Sequence, residues 1–394
     1  MSTLDSGRPH RLSRWMLTLA FGVFVLCCVA GALCSNSSVH AMQDEHVTMP
    51  RSRYETGATG KNAYVGAEKC ITCHRGMSSG LSTQMGRAAL DPQGPDAPNY
   101  STMSYHDGSY TITIAKGDRD GLEMRASDGS ASMAAPIRWI FGQGYDGQTF
   151  ILEKDGKLYE SRASYYLAFS NLGLTIGHSS SLPKSLMATL GRPLPEAEVK
   201  KCFSCHTSED VFDGRIDVKQ AHPGVTCENC HGAGSDHVSL MASGGDSNKL
   251  KDADIFDPGI LAPADMNDFC GRCHRTTHDV LSSGIRDIRN VRFQPYRLEN
   301  SRCYDPSDPR ITCVACHDPH RKLETASATY DEKCLSCHVR LGEKPSRDKT
   351  AAACPRATKD CASCHMPKLD LPGAHFAFTD HYIRIVKPNE TYPN

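Results

Sequence analysis

The chain has 394 residues, a formal net charge of −1, 39% hydrophobic residues and only 7% aromatic ones. That balance excludes a nucleic-acid binder working through a cationic face. With 32 glycines and 22 prolines, side chains alone make a thin core for this length, and the 19 cysteines point to something that supplements it.

The N-terminus reads as an export segment. Arg8, Arg11 and Arg14 form a positive region, residues 15–33 are almost wholly apolar, and a polar stretch then ends at Val39-His40-Ala41. Small residues around that point predict a signal peptide over 1–41, cleaved after Ala41. The apolar run is also long enough to span a bilayer, so an uncleaved inner-membrane anchor is the alternative. Gly31-Ala32-Leu33 before Cys34 makes a poor lipobox. Residues 42–64 form a flexible polar leader.

From there one pentapeptide organises the chain. CxxCH occurs seven times: Cys70/Cys73/His74, Cys202/Cys205/His206, Cys227/Cys230/His231, Cys270/Cys273/His274, Cys313/Cys316/His317, Cys334/Cys337/His338 and Cys361/Cys364/His365. This is the signature of covalent c-type haem attachment: two thioethers to the porphyrin and an adjacent imidazole as proximal iron ligand. Structural zinc sites use CxxC pairs too, but nothing in zinc chemistry demands a histidine directly after each pair. Seven covalently bound haem c groups are therefore expected.

The first haem segment covers 65–99, with a short helix from Met85 to Leu90 and a Pro/Gly/Asp loop over 91–99. Residues 100–180 carry no motif and read as a small inserted antiparallel β module. Tyr110 to Ile114 alternates, Ile137 to Phe141 makes a further strand, and residues 149–154 and 157–160 flank an Asp155-Gly156 hairpin turn. The pattern turns helical between Ser181 and Lys201. A six-haem region then fills 181–394, where Cys202 and Cys227 start 25 residues apart and Cys313 and Cys334 only 21 apart. So little chain per haem forces neighbouring haems to share contacts.

Second axial ligands decide what such haems do, because a six-coordinate haem carries electrons and an open one binds substrate. His222, His237, His320, His375 and His381 are the leading distal candidates. His106, His178, His278 and the thioether of Met85 rank behind them. His320, in Cys316-His317-Asp318-Pro319-His320, is too close to ligate its own iron and is placed for a neighbour. Cys303 and Cys354 stand outside every motif. In an oxidising compartment they form a disulfide closing a loop of about 50 residues, or remain as free or redox-active thiols.

The segments Ser301-Arg302-Cys303, Thr312 to His320, Cys361 to Lys368 and Phe378-Thr379-Asp380-His381 together resemble bacterial multihaem cytochromes with doubled CxxCH motifs. These include the tetrahaem electron carrier of ammonia oxidisers and, more distantly, hydroxylamine oxidoreductase and pentahaem nitrite reductase. The resemblance implies His237, His320 and His381 as distal ligands and supports the Cys303–Cys354 pairing. Met85 stands where relatives carry a ligating helix histidine. The CxxCK motif of the nitrite reductases is absent, and nothing identifies the tyrosine crosslink of hydroxylamine oxidoreductase.

The resulting expectation is a mainly α and loop multihaem cytochrome c fold organised by haems, with the small β module inserted. Its function is electron transfer along mostly bis-His haems outside the cytoplasm, periplasmic or exported. Its partners are redox proteins, such as a membrane quinol-oxidising complex or other cytochromes, and no nucleic acid. An oxidoreductase acting on a small nitrogen or sulfur compound at one open haem is the alternative, and a filament or complex subunit docking through the β module is a third reading.

Overall fold

Period-two burial runs much further than the hairpin alone suggests. The computed structural model describes residues 62–95, 97–117, 121–208, 211–212, 215–244, 255–339, 353–357 and 359–393. The export segment and most of the leader lie outside these residues. Ten strands belong to one antiparallel sheet: β1 (Ala89–Leu90), β2 (Ser104–Asp107), β3 (Tyr110–Lys116), β4 (Leu122–Ser127), β5 (Ser132–Phe141), β6 (Gly147–Lys154), β7 (Lys157–Ser161), β8 (Ala163–Tyr166), β9 (Asn171–Leu174) and β10 (Gly191–Pro193). Seven follow the path β10-β7-β6-β5-β4-β3-β2, curved as a half-barrel, while β1 joins β5, β8 joins β6 and β9 joins β8.

The fold class expected above is thereby overturned. The β body is the largest element of the molecule, and the fold is not mainly helical. Its flanking strands, β1 and β10, are two and three residues long and come from stretches that read as helical. Strands that short carry no periodicity and form only because a sheet edge is there to pair with.

Alternation explains the core. Ile112 and Ile114 on β3, Met124 and Ala126 on β4, Ala135 and Ile137 on β5, and Phe150 and Leu152 on β6 are all at most 3% exposed. They close one cluster with Tyr100 and Leu190. The turn between β6 and β7 places Asp155 at φ 51° and Gly156 at φ 71°, the two left-handed residues of the tight hairpin that the sequence suggests. β5 shifts register between Ile137 and Trp139, which lets its first half pair β4 and its second half pair β6 and β1. Replacing Phe150 with alanine should cost about 3–5 kcal/mol, because the ring is fully buried and meets Tyr100 edge-on. A lowered denaturant midpoint checks this.

The opposite face of β5 and β6 faces the haem region. Phe141 and Ile151 pack with Ala89, Leu194 and Phe203, and Phe203 touches Trp139 and Phe141 edge-on at 5.4 and 5.2 Å. Phe203 sits inside the second motif, so the sheet is the floor on which that motif rests.

The helices are short: α1 (Ala67–Ile71), α2 (Leu186–Leu190), α3 (Glu196–His206), α4 (Cys227–His231), α5 (Ser235–Ala242), α6 (Pro263–His274), α7 (Thr277–Ser283), α8 (Gln294–Glu299), α9 (Cys313–Cys316), α10 (Asp331–Cys334) and α11 (Cys361–His365). The helical stretch expected over Ser181–Lys201 is interrupted by β10, where Gly191 and Pro193 break it. The helix expected from Met85 to Leu90 does not form. A 3₁₀ helix covers Arg75–Ser82, a turn follows, and β1 begins at Ala89. The Met85 carbonyl instead accepts the Val225 N–H at 2.9 Å. No described helix is long and apolar enough to cross a membrane.

Candidate haem centres

Each motif folds as about one helical turn. His74 N–H donates to the Cys70 carbonyl at 2.9 Å, His317 N–H to Cys313 at 2.9 Å and His338 N–H to Cys334 at 3.0 Å. Residues three and four apart share a helix face, so both sulfurs and the imidazole are presented together. The turns start and stop abruptly. Thr312 Oγ1 accepts the Ala315 N–H ahead of α9, Gly232 at φ 85° ends α4, and Arg275 at φ 70° ends α6. Asp331, on the helix of the sixth motif, accepts the N–H of Asp360 at 2.6 Å and of Cys361 at 2.8 Å, and so caps the helix of the seventh.

Three motif histidines face a second histidine brought from elsewhere in the chain. His74 and His237 have ring centroids 6.3 Å apart, His231 and His320 6.2 Å, and His317 and His381 6.2 Å. A metal–imidazole bond of about 2 Å, with about 1 Å more to the ring centre, puts two imidazoles on opposite sides of one metal about 6 Å apart. The spacing therefore fits an iron between each pair, and in each case one partner belongs to a CxxCH motif.

The rings are also oriented for this. The Nδ1 atoms of His206, His231, His365 and His381 lie 2.8, 2.9, 2.8 and 3.1 Å from the carbonyls of Ala88, Phe256, Arg384 and Thr379. An N–H donated there leaves Nε2 as the bare nitrogen that a metal needs. His381 is half-buried by surface area, yet protein surrounds it. Desolvation first, and the neighbouring His317 second, push its imidazole down to about 4. Burial likewise lowers His206, His274 and His317. These imidazoles are neutral and able to ligate near pH 7.

The other candidates are placed differently. His178 Nε2 meets the Glu160 carboxylate at 3.1 Å inside the β body, with Arg192 on the same oxygen at 2.7 Å. Burial raises Glu160, but these two partners outweigh it and hold the carboxyl low. His106 is an exposed β2 residue beside Thr111 Oγ1 at 3.1 Å. His278 is exposed on α7, near Ser282. His222 is exposed and pairs with Ser208 in a two-residue ladder. His375, at φ 61°, sets its ring edge-on to Tyr166 and Phe169 at 4.7 and 5.0 Å. Met85 is partly buried in its turn.

The attachment cysteines approach one another across motifs. Cys70 lies beside Cys227, Cys205 beside Cys273, Cys270 beside Cys313 and Cys334 beside Cys361. Cys230 is near Cys270, and Cys316 near Cys334. The first motif thus adjoins the third, the third the fourth, the second and the fifth also adjoin the fourth, and the fifth leads through the sixth to the seventh. All seven form one connected array.

The attachment sulfurs differ in exposure. Cys73, Cys273 and Cys364 are exposed. Cys364 Sγ meets Ser363 Oγ at 3.7 Å, and Cys73 Sγ meets Thr72 Oγ1 at 3.9 Å, each a neighbour in its own motif. For Cys364 the reason lies in how α11 is held. Its first residue, Cys361, is fixed by the Asp331 cap and by Cys334, while Cys364 stands at the far end of a helix little more than one turn long. The seventh motif therefore joins the array through Cys361 alone among its two cysteines, and Cys364 is presented at the surface. Cys303 and Cys354 are free thiols, so the expected disulfide is not formed. Cys303 lies instead among Cys316, Cys334 and Cys337.

Residues 180–232 match the family model described as cytochrome c554 and c-prime, and two of the CxxCH motifs fall inside that match. Over those residues the chain is similar to that family. The motif thiols and their adjacent histidines are the residues that would hold covalently attached haem c. Among solved structures the chain is similar to the outer cell wall cytochrome OcwA, at 17% identity and a TM-score of 0.33, over 54% of this chain and 37% of that one. It therefore spans well under half the length of that protein. No curated protein matches the chain by sequence.

Three functional carboxylates escape sequence reading. Glu228 and Asp380 are buried at 1% and 0% exposure, and Asp331 at 9%. All three bind groups distant in the chain, and acidic residues next to a motif or a histidine look like ordinary surface residues until that packing is known.

Proposed function

We propose that this cytochrome carries seven haems and transfers electrons along them, with at least the first, third and fifth closed by histidine on both sides. The observation that carries this reading is the facing of His74 by His237, His231 by His320 and His317 by His381 at one-metal spacing. Bound haem c supplies a one-electron iron couple at each centre. The chain's own part is to occupy both axial positions, which removes the site where a substrate would bind. It also fixes ring orientation through the Nδ1 contacts and sets the attachment sites side by side. The N-terminal signal pattern supports an exported, periplasmic location, with a membrane anchor as the alternative. Redox proteins, such as a membrane quinol-oxidising complex or another cytochrome, are the partners this reading implies.

The engagement of His178 with Glu160 favours a second reading for part of the array. It leaves seven of the eight non-motif histidines beyond the leader for seven haems, and with His375 also set against Tyr166 and Phe169 six remain, so one haem lacks a histidine and is open to a small nitrogen or sulfur compound. A pyridine haemochrome assay against intact mass should give seven haems per chain. The ferric protein should be low-spin at three haems or more. Seven low-spin haems that bind neither CO nor nitrite would dismiss the second reading, and seven high-spin haems would dismiss the first.

A further inference from the structure

Glu228 is the second residue of the third motif, Cys227-Glu228-Asn229-Cys230-His231. A carboxylate on a five-residue helix ordinarily points into water, yet this one is 1% exposed. Its oxygens accept three backbone N–H groups: Oε1 from Val65 at 3.0 Å and Gly234 at 2.8 Å, and Oε2 from Gly66 at 2.9 Å. An acceptor-only anion matches three converging donors.

None of the three donors belongs to the third centre's own motif. Val65 and Gly66 lead into α1, which carries Cys70 and is followed by Cys73 and His74, and Gly66 is its N-cap. Gly234 is the N-cap of α5, which carries His237. One carboxylate thus ties together the two segments that supply His74 and His237. The join is reinforced around it. Ala63 N–H donates to Ser235 Oγ at 2.8 Å, Ser235 N–H donates to the Ala63 carbonyl at 3.0 Å, and the Asn62 amide donates to the Ala233 carbonyl at 2.7 Å. Packing is tight at Gly234, where a Cβ would stand 3.0 Å from Val65 Cγ2 and 3.3 Å from Glu228 Oε1.

We propose that Glu228, though written into the third motif, is the positioning residue of the first haem. It holds that haem's two axial histidines to their spacing, and its negative charge lowers that haem's reduction potential. The proposal rests on His74 and His237 sharing one iron.

The test compares Glu228→Ala, Glu228→Gln and His237→Ala in the full haem-loaded protein. The readouts are electron paramagnetic resonance of the ferric form, CO binding to the ferrous form, and spectroelectrochemistry. Glu228→Ala should convert one low-spin haem in seven to a high-spin, CO-binding one, the same haem that His237→Ala opens. Glu228→Gln, which removes the charge and keeps one carbonyl oxygen, should raise the potential of one haem and leave the others in place. If Glu228→Ala does not accumulate with its haems, the Glu228→Gln potentials decide alone. If His237→Ala opens a haem while both Glu228 variants keep wild-type spin states and potentials, Glu228 has only a structural role and the proposal falls. If His237→Ala changes no spin state, the shared-iron reading fails and takes the proposal with it.

Discussion

Alanine at position 380 should destabilise the protein by about 3–5 kcal/mol, the range for breaking a buried ion pair by removing one partner. Asp380 and Arg297 are both at 0% side-chain exposure. The guanidinium grips the carboxylate with two bonds, Nε to Oδ1 at 2.8 Å and Nη2 to Oδ2 at 2.9 Å. Arg384 adds a third at 2.7 Å. Arg297 also lies against the rings of Tyr382 and Tyr392, at 5.1 and 4.6 Å, and donates to the Pro393 carbonyl at 2.7 Å. Asp380→Ala leaves that cation buried with no counter-charge. A drop of several degrees in the melting temperature checks the expectation. Replacing Arg297 and Asp380 together by apolar residues of similar volume should cost much less, since neither charge is then stranded.

The same substitution should reach the haems. The strap held by Arg297 bears His381, which faces His317, and Arg384, whose carbonyl lies 2.8 Å from His365 Nδ1. One ion-pair cluster therefore supports both the ring that faces His317 and the ring of the motif residue His365. Asp380→Ala should yield CO binding at the fifth haem and leave the first and third low-spin. Loss of melting temperature without any new CO-binding haem would mean that the strap is stability alone.

The second large effect is expected from His320→Ala. His320 follows His317 by three residues but faces His231 of another motif, 6.2 Å away. Its loop is pinned where Ser79 Oγ donates to the His320 carbonyl at 3.0 Å and where Asp318 Oδ1 accepts the His320 N–H at 2.9 Å. Removing the imidazole leaves this backbone in place, so stability should change by less than about 1 kcal/mol, as for a partly exposed side chain. The third haem should nonetheless change completely, from low-spin and closed to high-spin and CO-binding. An unchanged spin count would show that His320 ligates nothing.

Legibility in the sequence follows the range of the interaction that makes each feature. A CxxCH motif needs only five consecutive residues, so all seven motifs are readable directly in the sequence. The Asp155-Gly156 hairpin was equally local. The likeness to multihaem cytochromes also singled out His237, His320 and His381, the three histidines that face motif rings. What it did not supply was the pairing, which joins residues 163, 89 and 64 positions apart. The size of the β body was missed because its edges recruit two- and three-residue strands, β1 and β10, whose sequences carry no alternation. Which attachment sulfurs are enclosed and which, like Cys364, stand at the surface was equally out of reach, since the motif is the same in both cases. Glu228, Asp331 and Asp380 were missed because a carboxylate's role depends on which N–H groups or cations converge on it.

The amino-acid sequence by itself determined the seven CxxCH motifs and the strand character of the central stretch, since each follows from neighbours along the chain. The tertiary structure alone decided which histidine faces which, how the motifs adjoin, and which carboxylates are buried to hold them. The physical reason is that hydrogen bonds, ion pairs and ring contacts act through space at a few ångströms, whatever the distance along the chain.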